Sequence, residues 1–290
     1  MDKETMKQSI IEAISRKLGD EFHISVHTAL KTNRKLDGLE IMKEGNRIAP
    51  VIYMDNYYKK LENGASIDAV VEDILEKYDG AKMLNGCFEV DNIMDCYRKR
   101  LYVELVNRSL NKELLEVIPH SRFLDDFAVV VRCMVGEMEG GRMSFLVRNE
   151  HMDTWRIGKE ELISIAIQNT RELMGIEIRN MREVIEEIFP YPVTGSRTDM
   201  GIWVMTNREK LSGASTALFD DVLKDFAEKH GNLYVVFSSM HEVLLFLESD
   251  RFGIDEVTRI NRQVNEEELE EGEVLGTRAY YYSKDKGFVV

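Results

Sequence analysis

Two histidine-bearing turns hold the side chains best suited to chemistry in this chain. His120 stands in PHSRFLDD beside Ser121, Arg122, Asp125 and Asp126. His241 stands in SSMHEV beside Ser238, Ser239 and Glu242. If folding joined the two turns, a serine, a histidine and a carboxylate would be at hand for acid–base or nucleophilic work. His120, Asp125, Ser239 and His241 are therefore the catalytic candidates. No G-x-S-x-G elbow is present to expose a serine nucleophile, so turn hydrogen bonds and capping are the plainer reading. A third segment, TNREKLSGAS at 206–215, follows an apolar run and precedes a helix. Backbone amides at such a junction can hold an anion, which makes Arg208, Lys210 and Gly213 the ligand-binding candidates. It lacks the GK[ST] of a phosphate loop, and a simple turn explains the glycine equally well.

The other histidines point away from a metal. His23 and His27 lie on an alternating segment, where a strand separates them by roughly 13 Å at about 3.3 Å per residue. His230 precedes Gly231, a capping position at a helix end. His151 has no partner at ligand spacing. There is no C-x-x-C, HExxH, EF-hand loop or paired-glycine dinucleotide motif, so no metal and no cofactor is expected. Tyr57-Tyr58 and Tyr280-Tyr281-Tyr282 could serve a partner surface, although core packing with one exposed ring is simpler. Trp155 and Trp203 read as core.

These residues need elements to position them. Met6, Ile10, Ile14 and Leu18 recur every fourth residue over 3–18, the stripe of an amphipathic helix stopped by Gly19. Phe22, Ile24 and Val26 alternate with polar residues as a half-buried strand. Apolar runs at 39–42 and 48–53 flank Gly45-Asn46, a hairpin signal. Ser66 caps a helix over SIDAVVEDILEKY. A helix is expected at 91–99, strands at 101–107, 126–135 and 142–148, and a short element at 111–118. Helices follow at 150–156, 159–173 and 181–189, the last stopped by Pro190 and Pro192. Beyond them lie strands at 202–206, 233–237 and 243–247, helices at 220–230 and 255–268, and a closing pair at 278–283 and 288–290. Helices mixed with hairpins, without βαβ alternation, predict an α+β protein of mostly antiparallel sheets with packed helices. Two lobes are expected, 1–115 and 116–290, or a single continuous domain.

The chain has 290 residues and a formal net charge of -14. Residues 1–120 carry 18 basic and 21 acidic side chains, and residues 121–290 carry 20 and 31. The acidity therefore gathers late, with Glu266, Glu267, Glu268, Glu270, Glu271 and Glu273 as its densest stretch. Such a surface repels phosphate backbones and anionic membranes, so neither nucleic acid nor membrane is an expected partner. Three cysteines, Cys87, Cys96 and Cys133, make no disulfide framework. With a polar start and no run of about 20 apolar residues, the expected location is cytoplasmic.

Four stretches carry a family resemblance: VIYMDNYYKKLENGASIDAVVEDILEKY, PHSRFLDDFAVVVRCMV, SFLVRNEHMDTWRIGKEELISIAIQNT and TALFDDVLKDFAEKHGNLYVVFSSMHEVLLFL. Over most of 40–285 the chain resembles an uncharacterised family, the domain of unknown function numbered fifty-six eighty-eight, common in anaerobic gut Firmicutes. The resemblance implies a bacterial, cytoplasmic protein and no particular activity. The sequence favours a non-catalytic intracellular protein that binds or interacts with a partner protein. The alternatives are a small-molecule or peptide hydrolase built on the His120 and His241 turns, and an acidic immunity-type partner of a basic protein.

Overall fold

The computed structural model describes residues 1–45, 51–82, 97–138, 141–188, 201–249, 251–269 and 272–289. Cys87, Cys96, Glu270, Glu271, Pro190, Pro192 and most of the helix expected at 91–99 lie outside them. The chain divides into two compact units, Met1–Asp91 and Asn92–Val290. This division falls earlier than the boundary expected at 115. The strand at 101–107 pairs residue by residue with 127–133, which ties it to the second unit.

The first unit opens with α1 (Lys3–Leu18), capped by the Asp2 carboxylate, which accepts from Thr5 N. The expected stripe forms: Met6, Ile10 and Ile14 are buried, and Gly19 ends the helix at φ 81°. β1 (Phe22–Lys31), β2 (Arg34–Lys43) and β3 (Val51–Tyr53) make an antiparallel sheet in that order. The β1–β2 turn has two residues, and Asn33 takes the left-handed conformation at φ 61°, which asparagine tolerates. His23 and His27 sit on β1 as expected, and His27 Nδ1 lies 3.9 Å from Glu40 Oε2. α2 (Asp55–Glu62) and α3 (Ile67–Lys82) complete the core with Tyr57, Tyr58, Val70, Val71, Ile74 and Tyr78. Ser66 accepts from Ala69 N at 3.2 Å, the predicted cap.

The second unit holds two sheets. In the first, β4 (Leu101–Asn107), β6 (Phe127–Met138) and β5 (His120–Phe123) run in the order β4-β6-β5, and β7 (Gly141–Leu146) also pairs with β6. The helix α4 (Lys112–Val117) precedes β5. Pro119 pushes Ile118 out of the helical region, and Ile118 is extended. After α5 (Asn149–Trp155), α6 (Lys159–Met174) buries Leu162, Ile163 and Ala166. It also covers the outer edge of β4: Val103 N donates to Thr170 Oγ1 at 2.9 Å, and Asn169 Nδ2 to Leu101 O at 3.1 Å.

The other sheet has the order β13-β12-β10-β11-β9-β8. Its strands are β8 (Glu177–Asn180), β9 (Ile202–Thr206), β10 (Leu233–Val236), β11 (Val243–Leu247), β12 (Ala279–Ser283) and β13 (Gly287–Val289). α7 (Met181–Ile188), α8 (Asp220–His230) and α9 (Ile254–Glu267) connect them, with a buried 3-10 turn at Gly213–Leu218. Aromatic rings join the two sheets. Phe127 lies 4.7 Å from Phe237 and 5.7 Å from Tyr280, centre to centre. Every strand pairing among the described residues is antiparallel, and the fold is α+β. No helix among these residues is long and apolar enough to cross a membrane.

Candidate functional site

The turn between β5 and β6 organises a cleft. Leu124 adopts φ 49° there. Arg122 clamps the turn, donating Nε to Leu124 O at 3.1 Å and pairing with the Asp125 carboxylate. Arg108, just past β4, packs on the same turn: its amide donates to Asp126 O at 2.8 Å and its Nη1 to Asp125 O at 2.9 Å. Both acceptors are neutral carbonyls. No carboxylate among the described residues lies within ion-pair distance of the Arg108 guanidinium.

Two concavities meet at this point. One, of about 660 Å³, is lined by Arg108, His120, Ser121, Arg122 and the first turns of α6, with Lys159, Glu160, Ile163, Ser164 and Ile167. The other, of about 520 Å³, shares Arg108 and His120 and adds Lys112, Glu116, Asp125 and Asp126. In the larger one Arg122 is paired with Asp125 and Lys159 lies 4.0 Å from Glu160, which leaves Arg108 as its cation without a carboxylate partner among the described residues. In the smaller one, Asp126 is already taken by Arg278 Nε at 2.6 Å and by the Tyr280 hydroxyl. His120 Nδ1 lies 3.1 Å from Ile118 O. A carbonyl only accepts, so Nδ1 carries the hydrogen, leaving Nε2 as the acceptor of the neutral ring.

His241 is held in another setting. Its amide donates to Ser239 Oγ at 2.9 Å, its carbonyl accepts from Thr206 Oγ1 at 2.7 Å, and its Nδ1 accepts from Ser212 N at 3.4 Å. Nε2 lies 3.7 Å from Glu273 Oε1. Ser238 and Ser239 are buried. The structure thus brings His120 together with Asp125, and Ser239 together with His241. The two pairs share no hydrogen-bond partner, and neither His241 nor Ser239 lines either concavity.

In the 206–215 segment most amides are already used. Asn207, 1% exposed, accepts from Glu209 N and Leu211 N through Oδ1 and donates Nδ2 to Leu211 O at 2.7 Å. Lys210 N donates to Asn207 O and Ala214 N to Met240 O. Arg208 and Lys210 point outward, Lys210 toward Glu187 at 3.8 Å. Gly213 is buried, and a Cβ there would lie 2.1 Å from Thr206 Oγ1 and 2.2 Å from His241 O, so the close packing itself requires glycine. Arg208, Lys210 and Gly213 therefore do not converge on one point.

The tyrosine runs are also engaged. Tyr280 and Tyr282 are buried and Tyr281 half-buried. Their hydroxyls bond Asp126, Asp220 (Oδ1, 2.8 Å) and Glu248 (Oε2, 3.1 Å) respectively. Burial, helped by the neighbouring carboxylates, pushes the Tyr280 and Tyr282 hydroxyls well above the usual range. Trp155 is buried, and Trp203 packs on Phe226 and His230. Cys133 is a buried thiol whose Sγ donates to Met134 O at 3.8 Å. Among the described residues no cluster of His, Cys, Asp and Glu could hold a metal ion.

Sequence reasoning missed Arg108 and Lys159. They reach the cleft from the end of a strand and the start of a helix far apart in the chain, and no spacing could join them. Comparison with curated proteins and with solved structures gave no match. The pattern of a family of unknown function, DUF5688, matches residues 3–284, and the chain belongs to that family.

Proposed function

We propose that the chain is a non-catalytic binding protein whose second unit takes an anionic group in the cleft at Arg108 and His120. The observation that carries this reading is Arg108 itself. A guanidinium held by one backbone carbonyl, that of Asp125, keeps its charge and its remaining donors for a ligand. Lys159, 4.0 Å from Glu160, stands at the far side of the cleft on α6, and an arginine without a carboxylate partner among the described residues stands out in a chain of net charge -14. The volume of about 660 Å³ falls within the range of small-ligand sites, roughly 300–1,000 Å³. Binding is favoured over hydrolysis because the His120 ring is oriented by a backbone carbonyl, and Ser239 and His241 are held elsewhere.

Thermal unfolding with inorganic phosphate and citrate, at ionic strength fixed with chloride, tests this reading. At about 100 times its Kd a ligand stabilises by about 2.7 kcal/mol, so the melting temperature rises. Lys159→Gln, an exposed change, reduces the rise and Arg108→Gln abolishes it. No rise in the wild type, or an equal rise in both variants, rejects the assignment.

A further inference from the structure

The walls of the cleft indicate a ligand class. One wall is β5, the terminal strand of its sheet. β6 holds one edge of β5, and no strand lies on its other edge among the described residues. The opposite end of that sheet is closed, since α6 covers β4 through Thr170 and Asn169. Successive side chains of a strand leave opposite faces, so His120 and Arg122 point one way and Ser121 the other. All three line the cleft, which therefore follows the strand backbone rather than a single row of side chains. In an antiparallel pair, alternate residues turn their N–H and C=O groups away from the partner strand. The far wall is α6, where Ile163 and Ile167 stand one turn apart and Lys159 marks the helix start.

An open strand edge facing a helix with an apolar stripe suits strand addition by an extended peptide. Main-chain bonds then supply affinity, and the lining side chains supply selectivity. Charge sets that selectivity here: Arg122 is paired with Asp125 and Lys159 lies 4.0 Å from Glu160, so Arg108 is the lining cation with no carboxylate at ion-pair distance among the described residues. We infer that the cleft binds an extended acidic peptide segment. Its main chain adds to the free edge of β5, an apolar side chain rests on Ile163 and Ile167, and its carboxylates meet Arg108 and Lys159. The inference rests on the anion-binding reading above and narrows it to a polymer of defined conformation. Four strand residues span about 13 Å, matching the four-residue length of β5.

Fluorescence polarisation with a labelled hexapeptide of alternating glutamate and valine tests it, beside the same peptide N-methylated at alternate amides and glutarate as an unlabelled competitor. The peptide binds at least tenfold more tightly than glutarate, and N-methylation in one of the two alternating registers costs at least tenfold. Lys159→Gln weakens peptide and glutarate alike, and circular dichroism confirms that the variant is folded. Equal affinity for peptide and glutarate, or indifference to methylation in both registers, overturns the peptide inference and leaves the anion site standing. Silence from peptide, glutarate and phosphate together removes both. If sedimentation shows a self-association that Lys159→Glu dissolves, the occupant is a second copy and the peptide proposal falls.

Discussion

Ser212 donates its hydroxyl to Glu104 Oε2 at 3.1 Å, a contact between residues 108 positions apart in the chain. Glu104 sits mid-strand in β4 and is 3% exposed. Arg132 Nε lies 3.8 Å away on β6, and the Arg132 side chain in turn bonds Ser144. Ser212 holds φ 52°, a left-handed conformation unusual for a residue with a Cβ. The contact ties the loop before the 3-10 turn to the other sheet, so it is a structural joint of the second unit.

Removing that carboxylate takes the charged partner from Arg132, which keeps its bonds to Ser144. Breaking a buried pair costs about 3–5 kcal/mol, and Arg132 keeps 22% of its side chain in solvent, which places the cost near the lower end. Glu104→Ala is expected to lower stability by about 3 kcal/mol in urea unfolding. Ser212→Ala loses only one charge-assisted hydrogen bond, about 1.5–3 kcal/mol at most. If Glu104→Ala proved no more harmful than Ser212→Ala, the Arg132 partnership would carry no energy.

Gly213→Ala probes the next residue of the same joint. The added methyl would meet Thr206 Oγ1 at 2.1 Å and His241 O at 2.2 Å, and one of these contacts is backbone that cannot swing aside. Overpacking of this kind costs roughly 1–3 kcal/mol or more. Gly158→Ala, where a Cβ meets nothing within 4 Å, is the control. Paired melting curves should separate the two, and equal melting temperatures would mean that the 3-10 turn yields freely.

The regular elements were readable because burial follows periodicity: the α1 stripe and the Ser66 cap required only local chemistry. The β1–β2 hairpin was not read, because its turn is Thr32-Asn33 and Asn33 supplies the positive φ without a glycine. The short strand EIRN at 177–180 has too little apolar alternation to announce itself, and its edge pairing with β9 comes from tertiary context. For the site, the sequence could single out His120 and Asp125 from local composition. It could not reveal that Asn207 uses the loop amides near Arg208, or that Arg108 faces a cleft, since both depend on long-range closure.

Tyrosine–carboxylate contacts offer a contrast between depth and exposure. Tyr58, 4% exposed, donates to Asp37 Oδ2 at 3.0 Å in the first unit. Burial first, and the Asp37 bond second, push its hydroxyl far above the ordinary range. Tyr58→Phe removes one donor from the Asp37 carboxylate, which keeps Lys3 Nζ at 3.4 Å, and should cost about 1.5 kcal/mol. Tyr281→Phe removes a comparable bond to Glu248 at an exposed site and should stay within about 0.5 kcal/mol. Urea midpoints for both variants, read on the full chain, check the difference. A larger loss for Tyr281→Phe would reverse the argument.

His151 provides a pH signature. Its ring stacks on Trp155 with centres 5.4 Å apart at 18°, and Phe145 meets it edge-on at 5.1 Å. Nδ1 accepts from Arg148 N at 3.0 Å, so a second ring proton would point at a donor already in place. Burial lowers the pKa below its ordinary 6.5; Glu150 opposes the shift, and Arg148 adds to it. A depressed folded-state pKa means that protons bind the unfolded chain more tightly. This contribution is complete above pH 6.5 and is lost as pH falls from there through the folded-state pKa. His151→Phe keeps the aromatic contact and removes the titration. Urea unfolding at pH 7.5 and 5.0 should show the wild type losing more stability than His151→Phe over that interval. Parallel losses would show that His151 protonates as readily in the folded chain as in the unfolded one.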